Sequence, residues 1–165
     1  RTAFERSAKA ISLRPTVGRH TATSRITVRD GVRCEIEDGR WKLVSDLGDD
    51  SGGEGKGPAP GVYARAALGS CLGLAIAHWS AKLGVPIDDL EIDVESDADA
   101  AGVYGVAEVP PGYSQVRCTV TIRSGAPETC VRDLVDQATE RCLVWDVFAR
   151  AVEMRRELRI VATEG

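Results

Sequence analysis

Apolar and polar residues alternate with a period of two between residues 24 and 43. The apolar positions fall in three short runs, which are Ile26 and Val28, then Val32, Cys34 and Ile36, then Trp41 and Leu43. Asp-Gly pairs at 30–31 and 38–39 separate these runs, and Asp-Gly supplies the positive φ angles that a tight hairpin needs. The pattern predicts a three-stranded antiparallel meander.

A glycine-rich segment, residues 48–61, follows the meander and holds six glycines. It does not complete a phosphate-binding loop, because Gly57 stands after Lys56 where Ser or Thr is required and Asp50 stands where the first glycine should be. It contains no GxGxxG motif either. We therefore expect a flexible connector.

A helix of about 22 residues is predicted to begin at Pro60 and to end at Gly84, since proline suits a helix start and glycine a helix end. Apolar residues surround it on nearly every side, which is typical of a buried helix. This helix is expected either to lie at the centre of the fold or to be covered by a partner subunit.

The second half of the chain predicts two more strands, at 90–94 and 116–122, with a strand-turn region at 96–112 between them. A helix opens at Pro127, and its apolar stripe consists of Val131, Leu134, Val135, Ala138 and Cys142. A short helix within 143–152 and a last strand at Leu158, Ile160 and Ala162 complete the order β-β-β-α-β-β-α-α-β. This order indicates an α+β fold, with residues 1–20 as an arm and 21–165 as one domain.

Composition and charge narrow the functional classes. A length of 165 residues favours one domain, and the net charge of −4 argues against a nucleic-acid partner. No run approaches the ~18 apolar residues of a membrane span, and no secretory signal pattern is visible. We therefore expect a cytoplasmic protein that binds neither nucleic acid nor membrane.

Five cysteines are present, at positions 34, 71, 118, 130 and 142. An odd number without CxxC spacing fits a reducing compartment better than a disulfide scaffold. The two histidines, His20 and His78, have no metal-like spacing to the cysteines, so no metal site is expected. Packing or surface exposure accounts for Cys34, Cys118 and Cys130. For Cys71 and Cys142 the pattern alone favours packing and leaves a reactive role open.

Four stretches resemble the OsmC/Ohr family of thiol peroxidases. "GPAPGVYARAALGSC" resembles the central-helix motif that carries the family's reactive cysteine, and "ERCLVWDVF" resembles the context of its second cysteine, 71 residues later. "LGVPIDDLEIDVES" is similar to the stretch after the central helix, and "RDG" at 29–31 to the hairpin that carries a catalytic arginine. The resemblance covers roughly residues 22–162.

The resemblance implies a mechanism and an assembly. Cys71 would be the peroxidatic thiolate that attacks an organic hydroperoxide, and Cys142 would resolve the sulfenic acid as a disulfide. A dithiol reductant of the lipoyl type would reopen that disulfide, with no metal, flavin or other cofactor. Arg29 would stabilise the thiolate, although an exposed residue at a strand end is an equal reading of Arg29. The resemblance further implies an intertwined homodimer with two active sites at the subunit interface.

The chain departs from the family pattern at Gly61, where the family has a glutamate that holds the arginine over the thiolate. The residue after the second cysteine is Leu143 instead of the common proline, and Trp145 adds bulk nearby. Three functions therefore stay open: a thiol peroxidase, a non-peroxidase binding or redox-sensing protein, and a structural domain whose cysteines only pack.

Overall fold

The computed structural model describes residues 2–29 and 31–162, so Asp30 of the first predicted turn lies outside the described residues. Strands β1 (Ser24–Arg29), β2 (Arg33–Asp38) and β3 (Trp41–Ser45) form an antiparallel sheet in chain order. Gly31 and Gly39 have φ angles of 84° and 54° in the two turns, which only glycine adopts readily. The predicted meander is confirmed.

Helix α2, Pro60–Leu83, is the longest element. Proline occupies its first turn, and Gly84 ends it with a φ of 72° while its N–H donates to the Ser80 carbonyl. Both predicted ends are thus confirmed. By length and mean hydropathy alone α2 could cross a membrane, but one such helix is weak evidence, because the core helix of a globular protein passes the same test.

A second antiparallel sheet pairs β4 (Asp89–Ala98) with β5 (Tyr113–Arg123), and the short helix α3 (Ala100–Val103) lies between them in the chain. The apolar face of this second sheet packs on α2, where two glycines of the helix permit close approach. A Cβ atom at Gly69 would lie 3.1 Å from Val94 Cγ2, and one at Gly73 would lie 3.5 Å from Ile92 Cδ1.

Helices α4 (Glu128–Thr139) and α5 (Leu143–Ala149) pack on α2. The buried core lies where these helices meet, and it consists of Leu72, Ile76, Leu134, Ala138 and Cys142. The order of strands and helices, with two antiparallel sheets, confirms the α+β class.

The arm at residues 1–20 contains a helix, α1 (Thr2–Leu13), followed by a single 3-10 turn. Phe4 attaches α1 to the end of α2, with its ring 6.1 Å from that of Trp79, and Lys82 Nζ lies 3.8 Å from the Trp79 ring centroid. The division between an arm and a domain at residue 21 stays a prediction.

The last predicted strand, at 158–162, is wrong for the described chain. Residues 151–162 form no helix or strand, and Leu158 and Ile160 are 76% and 86% exposed. Alternation of apolar residues makes a strand only where a neighbouring strand accepts and donates the backbone hydrogen bonds. No described strand of the chain pairs with this segment.

Candidate active site: a buried pair of thiols

The fold brings together two cysteines that are 71 residues apart. Cys71 lies on α2 and is partly buried, whereas Cys142 lies between α4 and α5, caps the start of α5 and is 2% exposed. Cys71 packs against the buried cluster that contains Cys142, and its proximity is one of the causes that raise the pKa of Cys142. Because α4 and α5 both pack on α2, the meeting of the thiols follows from the packing of the core. Both residues are free thiols.

The surroundings of Cys142 favour a protonated thiol. Burial is the main cause that raises the pKa of Cys142 above its ordinary value, and the contact with Cys71 raises it further. The backbone N–H groups of Trp145 and Val144 act in the opposite direction and lower this pKa, but they do not outweigh the burial. Cys142 therefore holds its proton at neutral pH.

An apolar cavity of about 570 Å³ lies between α2, β5 and α5, and neither thiol lines it. Trp145 connects this cavity with Cys142, since it lines the cavity and packs against the buried cluster that contains Cys142. The other lining side chains are mainly apolar or aromatic and include Leu68, Tyr113, Val116, Cys118 and Phe148. The rings of Tyr113 and Phe148 are stacked at 6.4 Å, which joins β5 to α5 at the cavity wall.

Tyr113 reaches Gly61, the position where the family resemblance expects a glutamate. Its hydroxyl donates to the Gly61 carbonyl over 3.4 Å. A Cβ atom at Gly61 would lie 3.1 Å from Tyr113 Oη and 3.4 Å from Arg65 Nη1. Gly61 is thus bordered by a phenol and a guanidinium. Sequence reasoning missed Tyr113, because 52 residues separate it from Gly61 and no local pattern marks the contact.

Arg29 ends β1, as the sequence indicated, and its guanidinium lies 3.7 Å from Glu35 on the neighbouring strand. Both side chains are more than half exposed, so this ion pair is weak. Among the contacts of residues 2–29 and 31–162, none joins Arg29 to Cys71. The described single chain does not bring these two predicted site residues together.

The other cysteines and histidines lie outside the thiol pair. Cys118 lines the cavity, and burial raises its pKa. Cys130 is exposed, and the His78 ring lies 5.8 Å from the Phe4 ring. Across the described ranges, no group of three or more His, Cys, Asp or Glu side chains is arranged to hold a metal ion.

Comparison with known proteins identifies the family. A family model described as "OsmC-like protein" matches residues 53–157, while a comparison with curated protein sequences finds no match. The fold is similar to that of an OsmC-like protein from Mycoplasma pneumoniae, with a TM-score of 0.68 and 14% identity over 79% of this chain and 88% of that chain.

Two further solved structures carry names that refer to hydroperoxides. An organic hydroperoxide resistance protein OsmC from Legionella pneumophila has a TM-score of 0.59 and 22% identity, over 78% of this chain and 89% of that chain. The organic hydroperoxide resistance protein OhrB of Bacillus subtilis has a TM-score of 0.51 and 18% identity, over 77% and 89%. Since the family model matches well over half of the chain, the protein belongs to the OsmC-like family.

Proposed function

We propose that this protein is a thiol peroxidase that reduces organic hydroperoxides through Cys71 and Cys142. The packing of Cys71 against the buried cluster that contains Cys142 carries this proposal, because a sulfenic acid formed on Cys71 would have a second thiol close by. The buried, protonated Cys142 suits the resolving role. The less buried Cys71 suits the first attack, since a peroxide must reach it.

The reaction balances in three steps. The Cys71 thiolate attacks the distal peroxide oxygen, the O–O bond breaks, and the alkoxide takes a proton and leaves as an alcohol. Cys142 then attacks the Cys71 sulfenic acid, which releases water and forms a disulfide. An external dithiol attacks that disulfide by thiol exchange, returns both cysteines to thiols and becomes a cyclic disulfide itself. The expected reductant is of the lipoyl type.

The apolar cavity supplies the reason to prefer an organic hydroperoxide over hydrogen peroxide. Its volume of about 570 Å³ falls in the range of small-molecule sites. Leu68 lies one helical turn before Cys71, and Trp145 packs against the cluster that contains Cys142, so the cavity wall includes a neighbour of each thiol. An apolar substituent in the cavity would orient the peroxide group toward Cys71.

We further propose a homodimer in which the site is completed at the subunit interface. Large apolar side chains are exposed on the first sheet, on α2 and in the C-terminal segment, including Val28 at 63%, Leu74 at 62% and Ile160 at 86%. Such surfaces are typical of proteins that associate. A partner would also bring a second Arg29 hairpin and a neighbour for residues 151–162.

Light scattering on the purified protein tests this assembly. A mass of twice the 17.6 kDa of one chain is the expected result, and a stable monomer would remove the proposed interface. The cytoplasm is the proposed location, because the catalytic thiols need a reducing compartment.

Gly61 favours a second candidate, which is a redox sensor or binding protein without turnover. No carboxylate is available at this position, and Tyr113 and Arg65 border it instead. A sensor would form the Cys71–Cys142 disulfide once per peroxide and would not cycle rapidly with a dithiol.

Peroxide consumption separates the candidates. Cumene hydroperoxide and dihydrolipoamide are supplied to wild type, Cys71→Ser, Cys142→Ser and, as a control at an exposed thiol, Cys130→Ser. We expect turnover in wild type and Cys130→Ser and its loss in the other two variants. Turnover that survives in Cys71→Ser would refute the peroxidase. A stoichiometric disulfide without turnover, seen by mass spectrometry under non-reducing conditions, would favour the sensor.

A further inference from the structure

Asp46 carries a buried negative charge at the end of β3 that the thiol chemistry does not use. The residue is 2% exposed, and three backbone N–H groups donate to its carboxylate. Leu47 donates to Oδ1 over 2.8 Å, and Glu54 and Lys56 donate to Oδ2 over 3.2 and 3.0 Å. The Lys56 bond is the largest cause that lowers the pKa of Asp46. A buried charge needs such compensation, so Asp46 is fixed as an anion inside the loop.

These bonds close the glycine-rich segment into an ordered loop, residues 47–58. The N–H of Gly55 donates to Leu47 O over 2.9 Å, and Ser45 Oγ donates to Pro58 O over 2.9 Å. A Cβ atom at Gly57 would lie 2.5 Å from Val44 O, so glycine is needed for the close approach. The sequence predicted a flexible connector, and the structure shows this segment as a hydrogen-bonded loop. The sequence interpretation took the glycines as a sign of conformational freedom. In the structure, the small size of glycine allows the backbone to approach closely around the buried carboxylate.

The closed loop lies beside the hairpin that carries Arg29 and leads into α2. At one side a Cβ atom added to Gly31 would lie 3.9 Å from Gly52 O, and the charge of Arg33, which pairs with Arg29 across β1 and β2, acts on Asp46. At the other side the loop leads into the first turn of α2, and Tyr63 Oη of that turn donates to Val44 O of β3 over 2.6 Å, which ties the start of α2 to the sheet. The loop therefore connects the Arg29 hairpin with the helix that carries Cys71.

We propose that Asp46 is a positioning residue, which fixes the Arg29 hairpin relative to the start of α2 by holding the 47–58 loop closed. This inference rests on the proposed function, because it assigns Arg29 a role at the thiol site. In the part of the chain that the structure describes, Asp46 contacts neither thiol. It would therefore act on the site through the loop and the hairpin. Loss of its charge would leave the core of Leu72 and Leu134 intact and would free the hairpin.

The first experiment measures the loop directly. Asp46→Asn leaves one acceptor oxygen for three N–H donors, and Asp49→Asn, at an exposed position of the same loop, is the matched control. Hydrogen exchange followed by mass spectrometry should show peptides from residues 47–58 exchanging at least about tenfold faster in Asp46→Asn and unchanged in Asp49→Asn. Unchanged exchange in Asp46→Asn would overturn the proposal.

The second experiment tests whether the loop acts through Arg29. The rate of Cys71 alkylation by iodoacetamide is measured at pH 7 in wild type, Asp46→Asn, Arg29→Ala and the double variant, each in a Cys130→Ser background. We expect each single change to slow alkylation by about tenfold and the double change to be no slower than Arg29→Ala alone. A general structural effect would instead multiply the two losses, and this result would overturn the proposal.

Gly53→Ala provides a second way to open the loop if Asp46→Asn folds poorly. A Cβ atom at Gly53 would overlap Leu47 O and would lie 2.7 Å from Asp46 Oδ1, so this variant opens the loop while the protein keeps the Asp46 charge. It should slow alkylation in the presence of Arg29 only, and equal slowing in both backgrounds would overturn the proposal. Failure of the proposed peroxidase function is distinguishable from failure of this proposal. The former appears as absent hydroperoxide turnover in wild type, whereas the alkylation rates of the four variants can be compared without any turnover.

Discussion

Replacing Gly61 with glutamate tests how far the absent carboxylate limits the site. The new side chain would point toward Tyr113 Oη and Arg65 Nη1, which lie 3.1 and 3.4 Å from its Cβ position. Arg65 is four residues later on the same helix, and its guanidinium donates to Ser96 Oγ over 3.3 Å. We therefore expect the carboxylate to pair with Arg65 and not with Arg29.

The change should be nearly neutral for stability. A glutamate in the first turn of α2 gains about 0.3–1 kcal/mol from the helix dipole and about 0.2–0.5 kcal/mol from the Arg65 pair. The crowded Tyr113 hydroxyl loses its bond to the Gly61 carbonyl, which is worth about 0.5–1.5 kcal/mol. The terms nearly cancel, so the melting temperature should move by less than about 4 °C.

The assay is turnover of cumene hydroperoxide in Gly61→Glu, Arg65→Ala and the double variant. The single variants should stay within about twofold of wild type, because Arg65 captures the new charge. The double variant should gain about tenfold, since a charge-assisted hydrogen bond to Arg29 would lower the barrier by about 1.4 kcal/mol. Gly61→Gln with Arg65→Ala is the uncharged control. A tenfold gain in Gly61→Glu alone would refute the capture by Arg65.

Three further predictions concern the core, the loop and the arm. Leu134→Ala should lower the free energy of unfolding by about 2–5 kcal/mol, because Leu134 is fully buried. Leu143→Ala, at a 68% exposed position, should change it by less than about 0.5 kcal/mol. Denaturant titrations of the two variants and wild type measure the difference. The pKa of Asp46 is held below its ordinary value of 3.8, so the stability that its charge gives to the loop is present above that pH and is lost as the pH falls further. Hydrogen exchange of the 47–58 loop, corrected for intrinsic rates, should be flat from pH 5 to 8 and should rise below about pH 4. A rise near pH 6 would contradict this. Phe4→Ala should detach α1 and expose Trp79 to quenching by acrylamide, and unchanged quenching would show that α1 does not cover that ring.

Local signals in the sequence carried much of the fold. Pro60 and Gly84 mark the two ends of α2 because each acts on its own backbone, and the period-two alternation defines the meander because neighbouring strands are close in the chain. The segment at 158–162 has the same alternation and forms no strand, since pairing also needs a partner that no local pattern supplies. The hydrogen bonds of the glycine-rich loop were not foreseen for a related reason. They are made to the carboxylate of Asp46, which precedes the loop and belongs to no local glycine pattern.

The candidate site divides in the same way. Cys71 and Cys142 were singled out by resemblance. Their proximity depends on the packing of α4 and α5 on α2, which is far from both in sequence. Gly61 was recognised as a departure, yet the phenol beside it comes from β5, and no periodicity of α2 could reveal it. Arg29 was placed correctly at the end of β1, but its relation to Cys71 depends on how hairpins and helices are brought together in space.

The separation of 71 residues between the two thiols has a thermodynamic consequence. A crosslink between Cys71 and Cys142 would remove the freedom of a long loop from the unfolded chain, and the chain-entropy model gives about 4 kcal/mol of stabilisation for a loop of this length. The oxidised form would then be the harder one to unfold, by roughly a factor of a thousand in the folding equilibrium. Exposure to peroxide would thus make the molecule more resistant to denaturation, and the reductant that restores its thiols would also restore its lower stability.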